Sequence, residues 1–186
     1  AAAHPIGSGG AAVESLETRI APATLVNATI ITFQDVDGDD VTLKVNRAIF
    51  ADLASVNAVL TFDAGSVDGS NAAPQQLQLI DFSALATPAD ADRINITLSA
   101  KRSAANGGDG FVNLGELRAT GIDLGVVKIG GDLGRIQAGD GAAETMGVKQ
   151  LAVHSFGVFG ISTQPAGGSF ESAINGRLGA LVVKTD

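Results

Sequence analysis

DLGVVKIGGDLGRIQAGD (123–140) states one phrase twice. Leu124-Gly125 leads to Val127 and Ile129, and Leu133-Gly134 leads to Ile136 and Ala138. Neither copy carries a nucleophile, a metal cage or a phosphate cradle, so the repeat reads as architecture. Units of the same kind run through the C-terminal part: Leu114-Gly115-Glu116-Leu117, Met146-Gly147, Phe156-Gly157 and Leu178-Gly179. Their starts lie 10, 9, 13, 10 and 22 residues apart, and the longer steps accommodate insertions such as GAAETM and STQPAGG. A short repeating unit is the signature of a solenoid, in which each rung stacks its apolar side chains on the next. Leu or Phe is expected to point inward, with the following Gly at a bend taking backbone angles that other residues avoid. Helices are a poor alternative, because each interior Gly costs a helix about 1 kcal/mol.

Upstream the pattern changes. TLVNATIITF (24–33) and DVTLKVNRAIF (40–50) flank QDVDGDD, where Asp-Gly signals a hairpin turn. SVNAVLTFDAG (55–65), QQLQLIDFSAL (75–85) and RINITLSAKRS (93–103) read as further strands. Ile94, Ile96 and Leu98 alternate with Asn95, Thr97 and Ser99, which predicts one buried and one wet face. The expected fold is all-β: a strand and hairpin module over 24–106 runs into a short parallel β-solenoid over 107–186, built on LG-x-[LIV] repeats of ~10 residues. Residues 1–23 are expected to form a flexible or docking N-terminal arm, with Val13, Leu16 and Ile20 at helical spacing ahead of Pro22. LGALVVKTD stops inside a unit, and its uncapped rung is expected to meet another subunit or further chain.

Composition narrows the function classes. A net charge of −8 opposes a phosphate backbone and disfavours nucleic acid and anionic membrane surfaces. No apolar run is long enough to read as a membrane span. With no Cys there is no disulfide, thiolate nucleophile or Cys-based zinc site. With no Trp or Tyr the usual sugar-stacking platforms are missing, leaving 8 Phe as the aromatic surface. The opening AAAHPIGSGG has no basic region followed by an apolar one, so no intact export signal is read there.

LETRIAPATL, DVDGDDVTLKV, LQLIDF, ITLSAKRS, GGDGFVNLGEL, ATGIDLGVVKIGGDLGRIQAGD and LAVHSFGVFG together carry a resemblance. They resemble the N-terminal part of large exported bacterial proteins in which an LE-x-R segment is followed by Gly-rich β-solenoid repeats. The resemblance implies export and a surface or matrix protein. It brings no catalytic residues.

Metal binding is the chemistry the residues best suggest. Asp35, Asp37, Asp39 and Asp40 crowd four carboxylates into six residues, an oxygen set of the kind Ca²⁺ accepts. The pattern departs from an EF-hand, with Asp40 where Gly belongs and Asn46 where Glu belongs, and an exposed acidic turn is the plainer reading. NGGDGFVNLGEL (106–117) resembles half of a dockerin-type calcium loop: Asp109, Asn113 and Glu116 occupy ligand positions, whereas Ala105 and Gly107 stand where the first two ligands belong. Asp123, Asp132 and Asp140 recur with the repeat and read as a solvated polar corner or a ladder of acids. His4 and His154 are the only imidazoles, and no G-x-S-x-G elbow or triad spacing accompanies His154.

These readings converge on a non-catalytic exported structural protein, extracellular or at the bacterial cell surface, with Ca²⁺ as the one cofactor suggested. It is expected to self-assemble in a fibre or matrix by strand-to-strand contact, its main partner being itself. The alternative is an adhesion module of a larger surface protein, binding cell-surface polysaccharide through Phe111, Phe156, Phe159 and Phe170. A polysaccharide-cleaving enzyme is the third reading, and no pair of carboxylates singles itself out for it.

Overall fold

The twice-stated phrase folds as one 16-residue strand, β8 (Leu124–Gly139), and the rest of the sheet is arranged around it. The computed structural model describes residues 23–64, 75–104 and 107–185. In chain order the other strands are β1 (Thr24–Asn27), β2 (Ile30–Gln34), β3 (Asp40–Val45), β4 (Leu60–Ala64), β5 (Gln75–Asp81) and β6 (Ile94–Lys101). They continue as β7 (Leu114–Thr120), β9 (Val148–Phe156), β10 (Ala173–Ile174) and β11 (Leu181–Val183). All join one curled, mixed sheet, a half-barrel in an all-β chain. The expected arm over 1–23 lies outside the described residues apart from Ala23, which is buried. No helix among the described residues is long and apolar enough to cross a membrane.

The repeat units stack in register. Along the first half of β8, Ile94 pairs with Leu124 and Leu124 with Val148. Ile96 pairs with Val127, Val127 with Leu151 and Leu151 with Leu181. Along the second half, Leu77 pairs with Leu114, Leu114 with Leu133 and Leu133 with Phe156. All of these pairings are parallel, and their inner members are almost completely buried. Each fully buried Leu, Ile or Val in these columns stabilises the fold by roughly 1.5–3 kcal/mol. β5 and β6, which the sequence assigns to the upstream module, therefore pair directly with strands of the repeat region.

Five of the six repeat glycines have a different reason from the one expected, whereas Gly157, after Phe156, does take a positive φ of 78°. Gly115, Gly125, Gly134, Gly147 and Gly179 are not among the glycines with positive φ. What each lacks is room. A Cβ on Gly134 would lie 2.6 Å from the Gly115 carbonyl oxygen, one on Gly125 2.9 Å from that of Arg93, and one on Gly179 2.3 Å from that of Lys149. The backbone of a neighbouring segment occupies the space a side chain needs. Gly125 also falls where β8 carries one residue more than β6, a bulge that keeps Leu124 and Val127 on the same buried side.

Antiparallel strands close the upstream side. The expected hairpin joins β2 to β3, with Phe33 opposite Val41, and Gly38 in its turn has φ 87°. β3 then pairs antiparallel with β6, and β4 with β5. Two expected strands are shorter than read. The stretch 24–33 breaks into β1 and β2 at Asn27, whose side-chain oxygen accepts from the backbone N–H and hydroxyl of Thr29. The stretch 55–65 begins as α1 (Leu53–Val59), because Asp52 caps it by accepting from Ser55 N–H while the Ser55 hydroxyl answers the Asp52 N–H. This capping box outweighs the β preference of Val56 and Val59, which pack into the core. Downstream, the inserted stretch 157–172 crosses the outer face of the β7–β8 pair, where Arg135 Nε donates to the Glu171 carbonyl.

Gly134→Ala is expected to destabilise the protein by about 1–3 kcal/mol, since its methyl must displace a strand backbone. Gly130→Ala, whose Cβ would meet the Leu98 carbonyl at 3.3 Å, is expected to cost under about 1 kcal/mol. Urea unfolding of the two variants compares the costs; equal midpoints would overturn the close-approach account.

Candidate functional site

The β2–β3 turn draws three of the predicted carboxylates together. Asp35, Asp37 and Asp39 each offer an oxygen within 4.8 Å of the others. Asp35 and Asp39 are buried, and Asp37 is partly so. Backbone N–H groups hold the arrangement: Asp35 Oδ1 accepts from Asp39 at 2.8 Å and Asp37 Oδ2 from Asp109 at 3.0 Å. Asp39 accepts from Ser103 at 2.6 Å and from Gly110 at 2.5 Å. Gly108 permits this approach, since any side chain there would overlap the Asp39 carboxylate. Asp39 thereby fastens the hairpin turn to a segment about seventy residues further along the chain. Asp40, the fourth member of the cluster in sequence, is exposed on β3 and outside this group.

The charge is not balanced locally. Among the described residues, no Lys, Arg or His side chain stands within ion-pair distance of Asp35, Asp37, Asp39 or Asp109. Burial pushes the Asp35 carboxyl up to about 8, reinforced by a hydrogen bond shared with the Asp37 carboxyl and by the charges of Asp37 and Asp39. The Asp39 N–H works in the opposite sense. Asp109 is also raised, first by burial and then by the same two charges, against the N–H of Phe111. A cavity of about 220 Å³ borders the cluster, with Asp35, Asp37, Asp109, Phe111 and Asn113 in its wall.

The half-loop over 106–117 does not converge on one point. Asp109 joins the turn cluster, while the Asn113 side chain accepts from the Asp132 N–H at 3.0 Å. Glu116 is 2% exposed and is engaged by Arg118 at 3.1 Å and Arg135 at 3.6 Å. Calcium-loop spacing assumes one continuous turn; here the strand β7 begins at Leu114 and carries Glu116 away. The Glu116–Arg135 pair had a signal in the sequence, because aligning Leu114-Gly115-Glu116 with Leu133-Gly134-Arg135 sets the two side by side.

The recurring acids are not a wet corner. Asp123 and Asp132 are buried, and only Asp140 is exposed. Asp123 accepts from the Asp140 N–H at 3.2 Å. Asp132 accepts from the Ser155 hydroxyl at 2.7 Å and from the N–H groups of Val158 and Phe159, pinning the turn that follows β9. Ser155 is thus directed at a carboxylate that already serves the backbone. Its neighbour His154 stacks against Phe111 with ring centroids 4.2 Å apart. Phe111, His154, Asp132 and Phe159 line a second cavity of about 290 Å³, whereas Phe156 and Phe170 lie outside it. His4 lies outside the described residues.

No family model matches this chain, and no curated protein or solved structure compared with it is similar to it.

The raised Asp35 carboxyl has a measurable consequence. Between about 4 and about 8 the folded chain holds a proton at Asp35 that the unfolded chain has released, so stability is expected to fall as pH rises through that window. The loss is complete above the folded value and absent below the unfolded one. Urea midpoints in chelator near the two ends of the window are expected to differ for the wild type and to converge in Asp35→Asn. A wild-type midpoint that does not fall relative to the variant would refute the assignment.

Proposed function

We propose that this chain is a non-catalytic structural protein of the bacterial cell surface or an extracellular fibre or matrix, self-assembling by strand-to-strand contact. In this reading the parallel columns around β8 are the coils of a short β-solenoid. The supporting observation is an exposed apolar strand edge at β11. On the upstream side the outer parallel strands β5 and β6 are covered by antiparallel β4 and β3. On the other side β11 pairs only with β9, and Leu178, Leu181, Val182 and Val183 remain 39%, 52%, 45% and 38% exposed. A strand edge with unpaired N–H and C=O groups and an apolar face is a template for a further strand. Export and a matrix role rest on the resemblance to exported repeat proteins.

A second reading, a polysaccharide-binding adhesion module, draws on the cavity lined by Phe111, His154 and Phe159. Its discriminating variant is Phe159→Ala, which would weaken glycan retention and leave the oligomeric state unchanged.

Light scattering on a size-exclusion column, with electron microscopy of the peak, tests the assembly reading. The wild type is expected to form concentration-dependent oligomers or filaments. Leu181→Lys/Val183→Lys is expected to raise the concentration needed for assembly at least tenfold while keeping the circular dichroism of the wild type. A wild type that stays monomeric at every concentration, or a double variant that assembles equally well, would sink it.

A further inference from the structure

A chain with 20 acidic side chains keeps one sheet face almost free of them. On β3, β6 and the first half of β8, alternate residues turn into the core and those between them turn outward. The outward set includes Lys44 on β3, Lys101 on β6 and Lys128 on β8, all exposed. Lys184, directly after β11, lies on the same face. It stands two residues beyond Val182, which aligns with Ala152 and through it with Lys128. The chain has only five lysines, and four of them are therefore on this face. Asp40, opposite Lys101, is the one acid among the described outward positions of these strands. Lys44 pairs with Thr97 and Thr97 with Lys128, so the two lysines lie two strands apart, about 10 Å at the usual strand separation. Two further strand steps lead from Lys128 through β9 to β11. None of the four lysines forms an ion pair among the described residues. Thr97 and Ser99 add exposed hydroxyls between them.

We propose that this face binds an anionic polysaccharide, a polymer carrying a carboxylate on each sugar, laid across the strands. The inference rests on the polysaccharide-binding reading above and gives the polymer its chemistry. Charge complementarity carries it: unpaired lysines gathered on one face of an acidic protein fit a polyanion. The net charge of −8 does not cancel the attraction, because salt screens charges beyond about 8–10 Å and the near face decides. The spacing selects among polyanions. Duplex nucleic acid carries a charge for every ~1.7 Å of its axis, far denser than this sparse row of lysines can match. A carboxylate on each sugar is a lower density, closer to that of the lysines. A second copy of the chain is a poor occupant, because lysine is depleted where proteins bury surface against one another. His154, two residues beyond Ala152 on β9, sets the cavity lined by Phe111 and Phe159 at the margin of the same face.

Binding of the full chain to immobilised polygalacturonate, with its methyl ester as the neutral counterpart, is the test, run in chelator so that no metal bridges polymer and protein. The wild type is expected to bind polygalacturonate at least tenfold more tightly than the ester and to lose that binding as salt rises. Lys44→Gln/Lys128→Gln is expected to weaken it at least tenfold, and Lys44→Arg/Lys128→Arg to retain it. Arg93→Gln/Arg177→Gln removes the same charge from turns beside the strands and is expected to bind like the wild type. Equal binding to the ester would overturn the anionic assignment and leave the polysaccharide reading in place. No binding to either polymer would overturn the proposal, as would a Lys44→Gln/Lys128→Gln that binds like the wild type. Duplex DNA or phosphatidylserine vesicles bound as tightly as polygalacturonate would overturn the choice of partner.

Discussion

The closest constraint in this protein is between backbones. At Gly115, Gly125, Gly134, Gly147 and Gly179 a carbonyl oxygen of a neighbouring segment stands where a side chain would begin. At Leu114-Gly115, Leu124-Gly125 and Leu133-Gly134 the pair couples a buried apolar anchor to a point of backbone contact beside it. If the glycine could carry a methyl, the strands would have to part there, and Leu114, Leu133 and their column would lose register together. The buried columns contribute favourable energy, and the glycines allow the backbone approach that sets their register.

That register also settles the polar chemistry. Once Leu114 lies opposite Leu133, Glu116 lies opposite Arg135, and a carboxylate that resembles a calcium ligand in sequence becomes one arm of a buried ion pair. A buried pair of this kind contributes little net stability, yet removing one arm would strand the other charge. Asp132 is consumed in the same way, its two oxygens holding Ser155, Val158 and Phe159. Asp35, Asp37 and Asp39 differ because no cationic side chain among the described residues reaches them. Acidic residues that look alike along the chain have become three different things: an ion-pair arm, a turn anchor and an uncompensated cluster.

The same geometry gives the molecule two unequal ends. Upstream the parallel stack passes into antiparallel pairing at β3 and β4, and the sheet path ends at β1 and β4. β11 repeats the parallel register and leaves its own outer edge unpaired among the described residues.

What the sequence by itself determined was whatever is written in local, periodic signals. The all-β class, the β2–β3 hairpin, the alternation of Ile94, Ile96 and Leu98 and the crowding of Asp35, Asp37 and Asp39 were all legible there. α1 was legible only to a reader who weighed the Asp52–Ser55 cap above the valines that follow it. Tertiary structure alone decided why the repeated glycines are glycines, which acids are buried, and that Asp109 meets the turn while Glu116 does not. Those outcomes depend on contacts between residues tens of positions apart. Such contacts are set by how strands stack, and no stretch of sequence read by itself carries that information.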